Sequence, residues 1–331
     1  MVTIKDIARE VGVSTSLVSF VMSNQQKGTK VYRVSDETEK RVLDAARRLN
    51  YQPNSNARAL RSGRSRVIGV LISDIANIFY SEIARDISEW ASQNDYVVLF
   101  GNTDESATKL SENIDLFEAK GVDGFIIVPC EGSFEAISEL QKRGVPFVLV
   151  DREMPGLRSS VVTLDNFEAS RLLVERLASK GCRKIEMVSY KTTLSNIKDR
   201  ESGYSSAVAD LGLEYSRIHT PHYSDYHEVE QVIKGAVQRG VDGLLFTTYK
   251  MAILGRRAMI ELGYRVPEQC RVACFNNSEE FDIYERSLTY ARQPIGQFAS
   301  ESLSILIDQI EGRSSGRKKI ILDPEIVEIE R

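Results

Sequence analysis

The chain has 331 residues, 42% hydrophobic and 27% charged, a composition that excludes a disordered or collagen-like protein. Such a length allows two or three domains and a core that needs no disulfide or metal. No apolar run reaches the roughly 18 residues of a membrane span and no secretory leader is visible, so a cytoplasmic protein with no membrane partner is expected. The formal net charge of −4 hides an asymmetry: residues 1–66 hold 13 Lys/Arg and 6 Asp/Glu, a net +7, while the remainder holds 30 and 41, a net −11. A basic front on an acidic rear directs the front at a polyanion; a solvated basic face is the alternative.

Thr3 followed by Asp6 is a capping-box pattern, and Ile4, Ile7, Ala8 and Val11 then share one helical face. Gly12 ends that helix. Ser14 caps a second, with Val13 and Val18 spaced as a hydrophobic staple and Val18, Val21 and Met22 turned inward. Ser35 caps a third, whose first turn carries Asp36 and Glu37 and whose apolar face is Val42, Ala45, Ala46 and Leu49. Helix, glycine turn, helix and a third short helix form a helix-turn-helix arrangement; a generic three-helix bundle fits the same pattern. Thr15, Ser16 and Ser19 project from the start of the second helix. Such short hydroxyl side chains let a helix sit deep in a major groove, although they are also ordinary helix-start residues.

Asn50-Tyr51-Gln52-Pro53-Asn54 closes the third helix. From Ala45 to Ser73 the chain has no acidic residue, and Arg58, Arg61, Arg64 and Arg66 flank small residues and the single large apolar side chain of Leu60. Arginines suit a narrow minor groove, and an apolar wedge can open a base step. A basic linker with an incidental leucine is the alternative.

From Val67 the predicted elements alternate. Strands are expected at 67–72, 96–100, 124–128, 147–150 and 184–189, with helices between them, the first over 80–92. This alternation specifies parallel, doubly wound sheets, whose binding sites lie beyond the carboxyl ends of the strands. Lys120-Gly-Val-Asp-Gly-Phe-Ile-Ile-Val128 resembles Arg239-Gly-Val-Asp-Gly-Leu-Leu-Phe-Thr247, so two similar half-domains with a cleft between them are expected. Ser73, Asp74, Asn77, Phe79 and Tyr80 follow the first strand, Arg152 follows the Phe147–Asp151 strand, and Asp165 and Asn166 come next. Phe79 is placed either to stack on a ligand ring or to fill the core. Cys130, Cys182, Cys270 and Cys274 lie in or beside apolar runs and read as buried thiols. His219, His222 and His227 sit in a polar segment that reads as a loop rather than a metal site. There is no nucleophile elbow, phosphate loop or dinucleotide fingerprint, so neither enzyme chemistry nor a cofactor is expected.

The stretches Thr3-Ile4-Lys5-Asp6-Ile7-Ala8, Gly12-Val13-Ser14, Val18-Ser19, Asn50 to Asn54 and Ala57-Arg58-Ala59-Leu60 resemble the LacI/GalR-type (lactose-repressor) family of bacterial transcriptional regulators. The resemblance extends over essentially the whole chain. It implies an all-α helix-turn-helix headpiece (1–50), a hinge helix and linker (51–66) and an α/β, periplasmic-binding-protein-like body (67–331). The body comprises two doubly wound parallel-sheet lobes, about 67–162 with 293–322 and about 163–292 with 323–331. The chain is expected to cross between them near Thr163, near Ala291–Gln293 and near Leu322–Pro324. The implied function is that of a repressor whose homodimer binds a palindromic double-stranded DNA operator under the control of a sugar, sugar acid or related metabolite. An exported solute-binding protein is the rival, and it would need a leader in place of residues 1–66.

Carried over by motif, the DNA-binding positions are Thr3, Thr15, Ser16, Ser19, Phe20, Asn24, Tyr51 and Asn54, with Ala57, Arg58, Leu60 and Arg61 in the minor groove. The effector positions are Asp74, Asn77, Phe79, Arg152, Arg200, Tyr249, Asn276 and Gln293. Arg200 stands in the family's Arg-x-x-Gly-Tyr stretch; a surface ion pair with Asp199 or Glu201 is its alternative use. The chain departs from the family's pattern at several points. Phe20 stands where many relatives have a polar or basic reader, and the loop from Ser23 to Val34 is longer than usual. Thr248-Tyr249 and Asn276-Asn277 replace pairs containing Asp, which favours an anionic or modified sugar over a neutral one.

Overall fold

The computed structural model describes residues 2–27, 34–51, 63–213, 217–223, 225–276, 287–313 and 316–330, without the side chains of 23–27. They divide into two compact units, Met1–Ser65 and Arg66–Arg331.

The first unit holds helices α1 (Ile4–Val11), α2 (Thr15–Lys27) and α3 (Asp36–Arg48). The Thr3 backbone N–H and hydroxyl both donate to the Asp6 carboxylate, at 2.9 and 2.7 Å. Gly12 takes φ 74°, a left-handed conformation that would strain a side-chain-bearing residue, and its N–H reaches the Ala8 carbonyl at 3.0 Å. Ser14 Oγ accepts from the Leu17 N–H at 3.2 Å and starts α2. Ile7, Val18, Val42 and Ala45 are fully buried between the helices. Arg41 donates to the Val11 carbonyl at 2.8 Å, a cation at the negative end of α1. Helix α2 continues through Lys27, beyond the loop start expected at Ser23. No glycine or proline interrupts it before Gly28.

The second unit contains two six-stranded sheets. The first is built from β1 (Val67–Ile72), β2 (Val97–Asn102), β3 (Gly124–Ile127), β4 (Phe147–Val150), β5 (Ser160–Leu164) and β11 (Lys319–Leu322), in the order β11-β5-β4-β3-β1-β2 and parallel throughout. The second uses β6 (Ile185–Val188), β7 (Ile218–His219), β8 (Gly243–Phe246), β9 (Arg271–Phe275), β10 (Ser287–Arg292) and β12 (Glu325–Glu330), in the order β12-β10-β9-β8-β6-β7. The two orders match position for position, and the repeated sequence motif supplies β3 and β8. Among the described strands only β12 runs antiparallel, to β10. It enters its sheet from the end where the parallel strands finish.

Helices α4 (Ile78–Gln93), α5 (Ala107–Ala119), α6 (Phe134–Lys142) and α11 (Ile295–Ile310) accompany the first sheet; α7 (Asn166–Ser179), α8 (Ser195–Asp210), α9 (Tyr226–Arg239) and α10 (Tyr249–Glu261) accompany the second. Covered strands need apolar residues on both faces, and β3, β4 and β8 are buried at every position. The chain passes between the sheets after Leu164, after Arg292 and after Leu322. Among the described residues no helix is long and apolar enough to cross a membrane.

Two local features carry consequences. Helix α8 lies so close to the start of α7 that a Cβ at Gly203 would stand 2.1 Å from the Phe167 carbonyl oxygen. Gly203→Ala is therefore expected to push the helices apart and to lower stability by roughly 1–3 kcal/mol, measured by urea unfolding. In β6, the fully buried Glu186 receives Arg239 Nε at 3.0 Å and Nη2 at 2.7 Å, and lies 2.8 Å from His219 Nε2. Burial raises its pKa, but His219 and Arg239 more than reverse this and hold it at about 2 against an ordinary 4.5. The stabilisation is thus complete above the ordinary value and is lost as pH falls through it towards 2. Glu186→Gln should cost roughly 1–3 kcal/mol at neutral pH and flatten the acid limb of a pH–stability curve. An unchanged acid limb would show that other carboxylates govern acid unfolding.

Candidate functional site

In the headpiece, Thr15 and Ser16 are exposed on the first turn of α2, and Ser19 and Phe20 are half-buried one turn on. Thr3 is exposed and tied to Asp6, and half-buried Tyr51 packs against the headpiece core after α3. Asn24 lies on α2, with its side chain outside the description. Asn54, Ala57, Arg58, Leu60 and Arg61 lie outside the described residues.

In the body, Asp74, Asn77, Phe79, Arg152, Arg200, Tyr249, Asn276 and Gln293 all border one cavity between the two sheets, at the carboxyl ends of their parallel strands. Its free space is about 50 Å³. A water takes roughly 10–15 Å³ on this measure, so a sugar-sized guest requires side chains or lobes to give way. Asn77 caps α4, its Oδ1 accepting from the Phe79 N–H at 3.1 Å, and Asp74 Oδ1 accepts from the Ala76 N–H at 2.9 Å. Phe79 is buried edge-on against Phe298, with ring centroids 5.6 Å apart, and it also borders the cavity.

Arg152 is 4% exposed and central to the site. It grips both oxygens of Glu105, Nη1 to Oε2 at 2.7 Å and Nη2 to Oε1 at 2.6 Å. It also donates to the Pro129 carbonyl (2.8 Å) and Tyr80 Oη (3.0 Å), and its Nε lies 3.5 Å from Asp151 Oδ2. Burial alone would pull the guanidinium pKa down; Tyr80, Glu105 and Asp151 more than reverse this, and it rises well above its usual value. Tyr80 donates to Asp151 Oδ2 at 2.8 Å. Asp151 Oδ1, Arg152 Nε and Gln293 Oε1 are buried at this cavity without a hydrogen-bond partner. A donor and two acceptors left this way are costly unless a guest satisfies them.

Arg200 is held differently. Its Nε donates to Asn166 Oδ1 at 2.7 Å and its Nη1 to the Thr247 carbonyl at 2.6 Å, with the guanidinium 3.7 Å over the Phe275 ring. Neither Asp199 nor Glu201 pairs with it. Glu201 instead accepts from Ser189 and Lys198. With burial as the leading cause, the Arg200 pKa falls below its ordinary value. Gly203, one turn along α8, permits the close approach to α7 that brings Asn166 within reach of this arginine.

Hydrogen bonds also join the two sheets' lobes. Asn196 Nδ2 donates to Asp151 Oδ2 at 3.0 Å, and the Glu153 N–H donates to Ser195 Oγ at 2.8 Å. Glu131 accepts from the Thr193 N–H, from Thr192 Oγ1 at 2.7 Å and from Thr193 Oγ1 at 2.9 Å. These bonds, the Thr193 N–H first among them, hold its carboxyl below the usual range. Sequence reasoning missed Glu105, Glu131, Asn196 and the wall formed by Tyr190 and Tyr223, whose rings lie 4.6 Å apart. It used Asp151 only as a strand end; an acid directly after a buried four-residue strand is a signal that could have marked it. The three histidines face different glutamates, Glu186, Glu228 and Glu230.

Comparison with known proteins agrees with this geometry. The family model described as periplasmic binding proteins and sugar binding domain of LacI family matches residues 65–233, just over half the chain. That of bacterial regulatory proteins, lacI family, matches residues 3–54. A ribose operon repressor of Halalkalibacterium halodurans is 31% identical over 94% of this chain and 91% of its own. The HTH-type transcriptional repressor PurR of Pasteurella multocida is 26% identical over 99% and 97%. The structure of the Lac repressor bound to ONPG shares the fold, with a TM-score of 0.82 at 22% identity over 98% of both chains. The chain therefore belongs to the LacI family of bacterial transcriptional regulators, with a DNA-binding helix-turn-helix headpiece and an effector-binding body.

Proposed function

We propose that this regulator binds a palindromic operator as a homodimer and that a sugar, sugar acid or related metabolite seated between the lobes sets its operator affinity. The observation that carries the effector reading is the convergence on one cavity of Arg200, which has no carboxylate within ion-pair distance among the described residues, and the buried polar atoms of Asp151, Arg152 and Gln293 that lack a hydrogen bond. A guanidinium and free acceptors together suit a hydroxylated ligand bearing an acid group.

The operator reading rests on the exposed Thr15 and Ser16 at the start of α2 and on the net +7 of residues 1–66. Phe20 touches a thymine methyl rather than a hydrogen-bonding base edge, and Leu60, flanked by Ala57, Arg58 and Arg61, wedges open the central step. Homodimer formation is supported by exposed apolar side chains on both lobes: Ile75 and Phe100 beside α4, and Ile253 and Ile260 on α10. Effector and operator are then coupled through the lobes by a free energy of typically about 1–3 kcal/mol.

Genomic fragments captured by the full chain provide the operator, and a metabolite screen on that complex provides the effector. Capture should weaken steeply with salt, and native mass measurement should find two chains per duplex; loss of sequence-selective capture would remove the proposal. Leu60→Ala should weaken operator binding by roughly 1–3 kcal/mol, with an unchanged affinity removing the wedge role. Arg200→Ala should abolish the metabolite's effect on the operator complex. Unaltered metabolite affinity in that variant, measured by calorimetry, would leave Arg200 a purely structural residue.

A further inference from the structure

Glu105 reaches Arg152 by an unusual backbone route. Residues 103–106 form a tight turn, closed by the Ser106 N–H on the Thr103 carbonyl at 2.9 Å. Its central residues, Asp104 and Glu105, have φ of 49° and 55°, a region that suits glycine, asparagine or aspartate far better than glutamate. Asp104 has local support from Asn102 and Lys109. Among the described residues the Glu105 carboxylate hydrogen-bonds to Arg152 alone. A disfavoured turn thus projects a carboxylate onto a cavity-lining guanidinium.

The two acids on Arg152 are not equivalent. Asp151 has a side chain 2% exposed and is held by Tyr80 and Asn196, whereas the Glu105 side chain is 38% exposed at the end of its turn. Glu105 can swing out to water and be rehydrated, and Asp151 then still balances the buried cation. A ligand hydroxyl is a poor competitor for a face already holding a bidentate carboxylate. A ligand carboxylate or phosphate replaces like with like, and its binding relaxes the turn. Departure of Glu105 also enlarges a space otherwise too small for a sugar.

We propose that Glu105 is a built-in substitute for the anionic group of the effector: it occupies the forked face of Arg152 until a ligand carboxylate or phosphate displaces it, so the cleft selects anionic ligands over neutral ones. This inference rests on the reading of the cleft as the effector site and specifies which part of the ligand the site recognises.

The test uses the full chain, wild type and Glu105→Gln, with inorganic phosphate and acetate as probes and chloride at matched ionic strength as control. Without the competing carboxylate, the anion concentration giving half the maximal rise in thermal midpoint should fall about tenfold or more, while chloride has no such effect. The stronger of the two probes identifies the anion class. In the wild type, saturating phosphate or acetate should speed hydrogen exchange of the Ser106 amide as the turn releases. Equal anion dependence in the two proteins overturns the proposal, as does wild-type Ser106 exchange that neither anion changes. Should the variant fold poorly, the wild-type exchange measurement decides alone. Failure of the effector-site reading is distinguishable: there, the metabolite's effect on the operator survives Arg200→Ala, whatever the anions do at Glu105.

Discussion

Burial of one full charge organises the centre of the body. At 4% exposure the cost of burying the Arg152 guanidinium is offset by acceptors that converge on it from several elements. Glu105 comes from the turn after β2, the Pro129 carbonyl from the end of β3, Asp151 from the end of β4 and Tyr80 from α4. Glu105, Pro129 and Asp151 thereby tie together the ends of three strands of the first sheet. Asp151 passes the constraint across the cleft, because Asn196 at the start of α8 donates to the carboxylate oxygen that Tyr80 also uses. The network that stabilises the buried cation is therefore also sensitive to how the lobes meet.

Backbone strain collects at the same place. Glu105, Asp151 and Asn276 have φ of 55°, 69° and 62°, and all three border the cleft just beyond β2, β4 and β9. Side-chain-bearing residues persist in this region only where their surroundings over-determine them, and such positions concentrate at ligand clamps. At Asp151 the side chain is held by hydrogen bonds with Tyr80 and Asn196; at Glu105 the backbone N–H donates to the Ser73 carbonyl at 3.1 Å and the side chain is held by Arg152. The difference explains why one residue belongs to the frame of the site and the other to its adjustable part.

Much of this was legible in the sequence, for reasons that differ by residue. Buried runs such as Phe147–Val150 read as covered strands whatever their order. The repeat around Lys120 and Arg239 indicated two alike sheets because it marks the same strand in each. Arg200 was picked out by its match to the family's Arg-x-x-Gly-Tyr stretch, and in the structure one face of α8 carries the arginine, the close approach at Gly203 and the buried ring of Tyr204. Glu105 was not readable: Asp104-Glu105 looks like a solvated turn, and its meaning depends on the positive φ values and on a strand three places away in the sheet. Glu131 and Asn196 were missed for a related reason, since their contacts across the cleft exist only once two lobes from distant parts of the chain are brought together. The extension of α2 to Lys27 was hidden by polar residues that resemble a loop but contain no helix breaker.

The three crossings between lobes have a mechanical consequence. They leave from β5, β10 and β11, which stand at matching margins: β5 beside β11 in one sheet, β10 beside β12 in the other. The links therefore run along a single margin, like the spine of a book, and the opposite margins, β2 and β7, are its free page edges. A spine of three threads resists sliding and twisting and leaves bending as the soft motion. The lever arm is longest at the page edges, so a small rotation at the spine becomes its largest displacement beside the turn that carries Glu105.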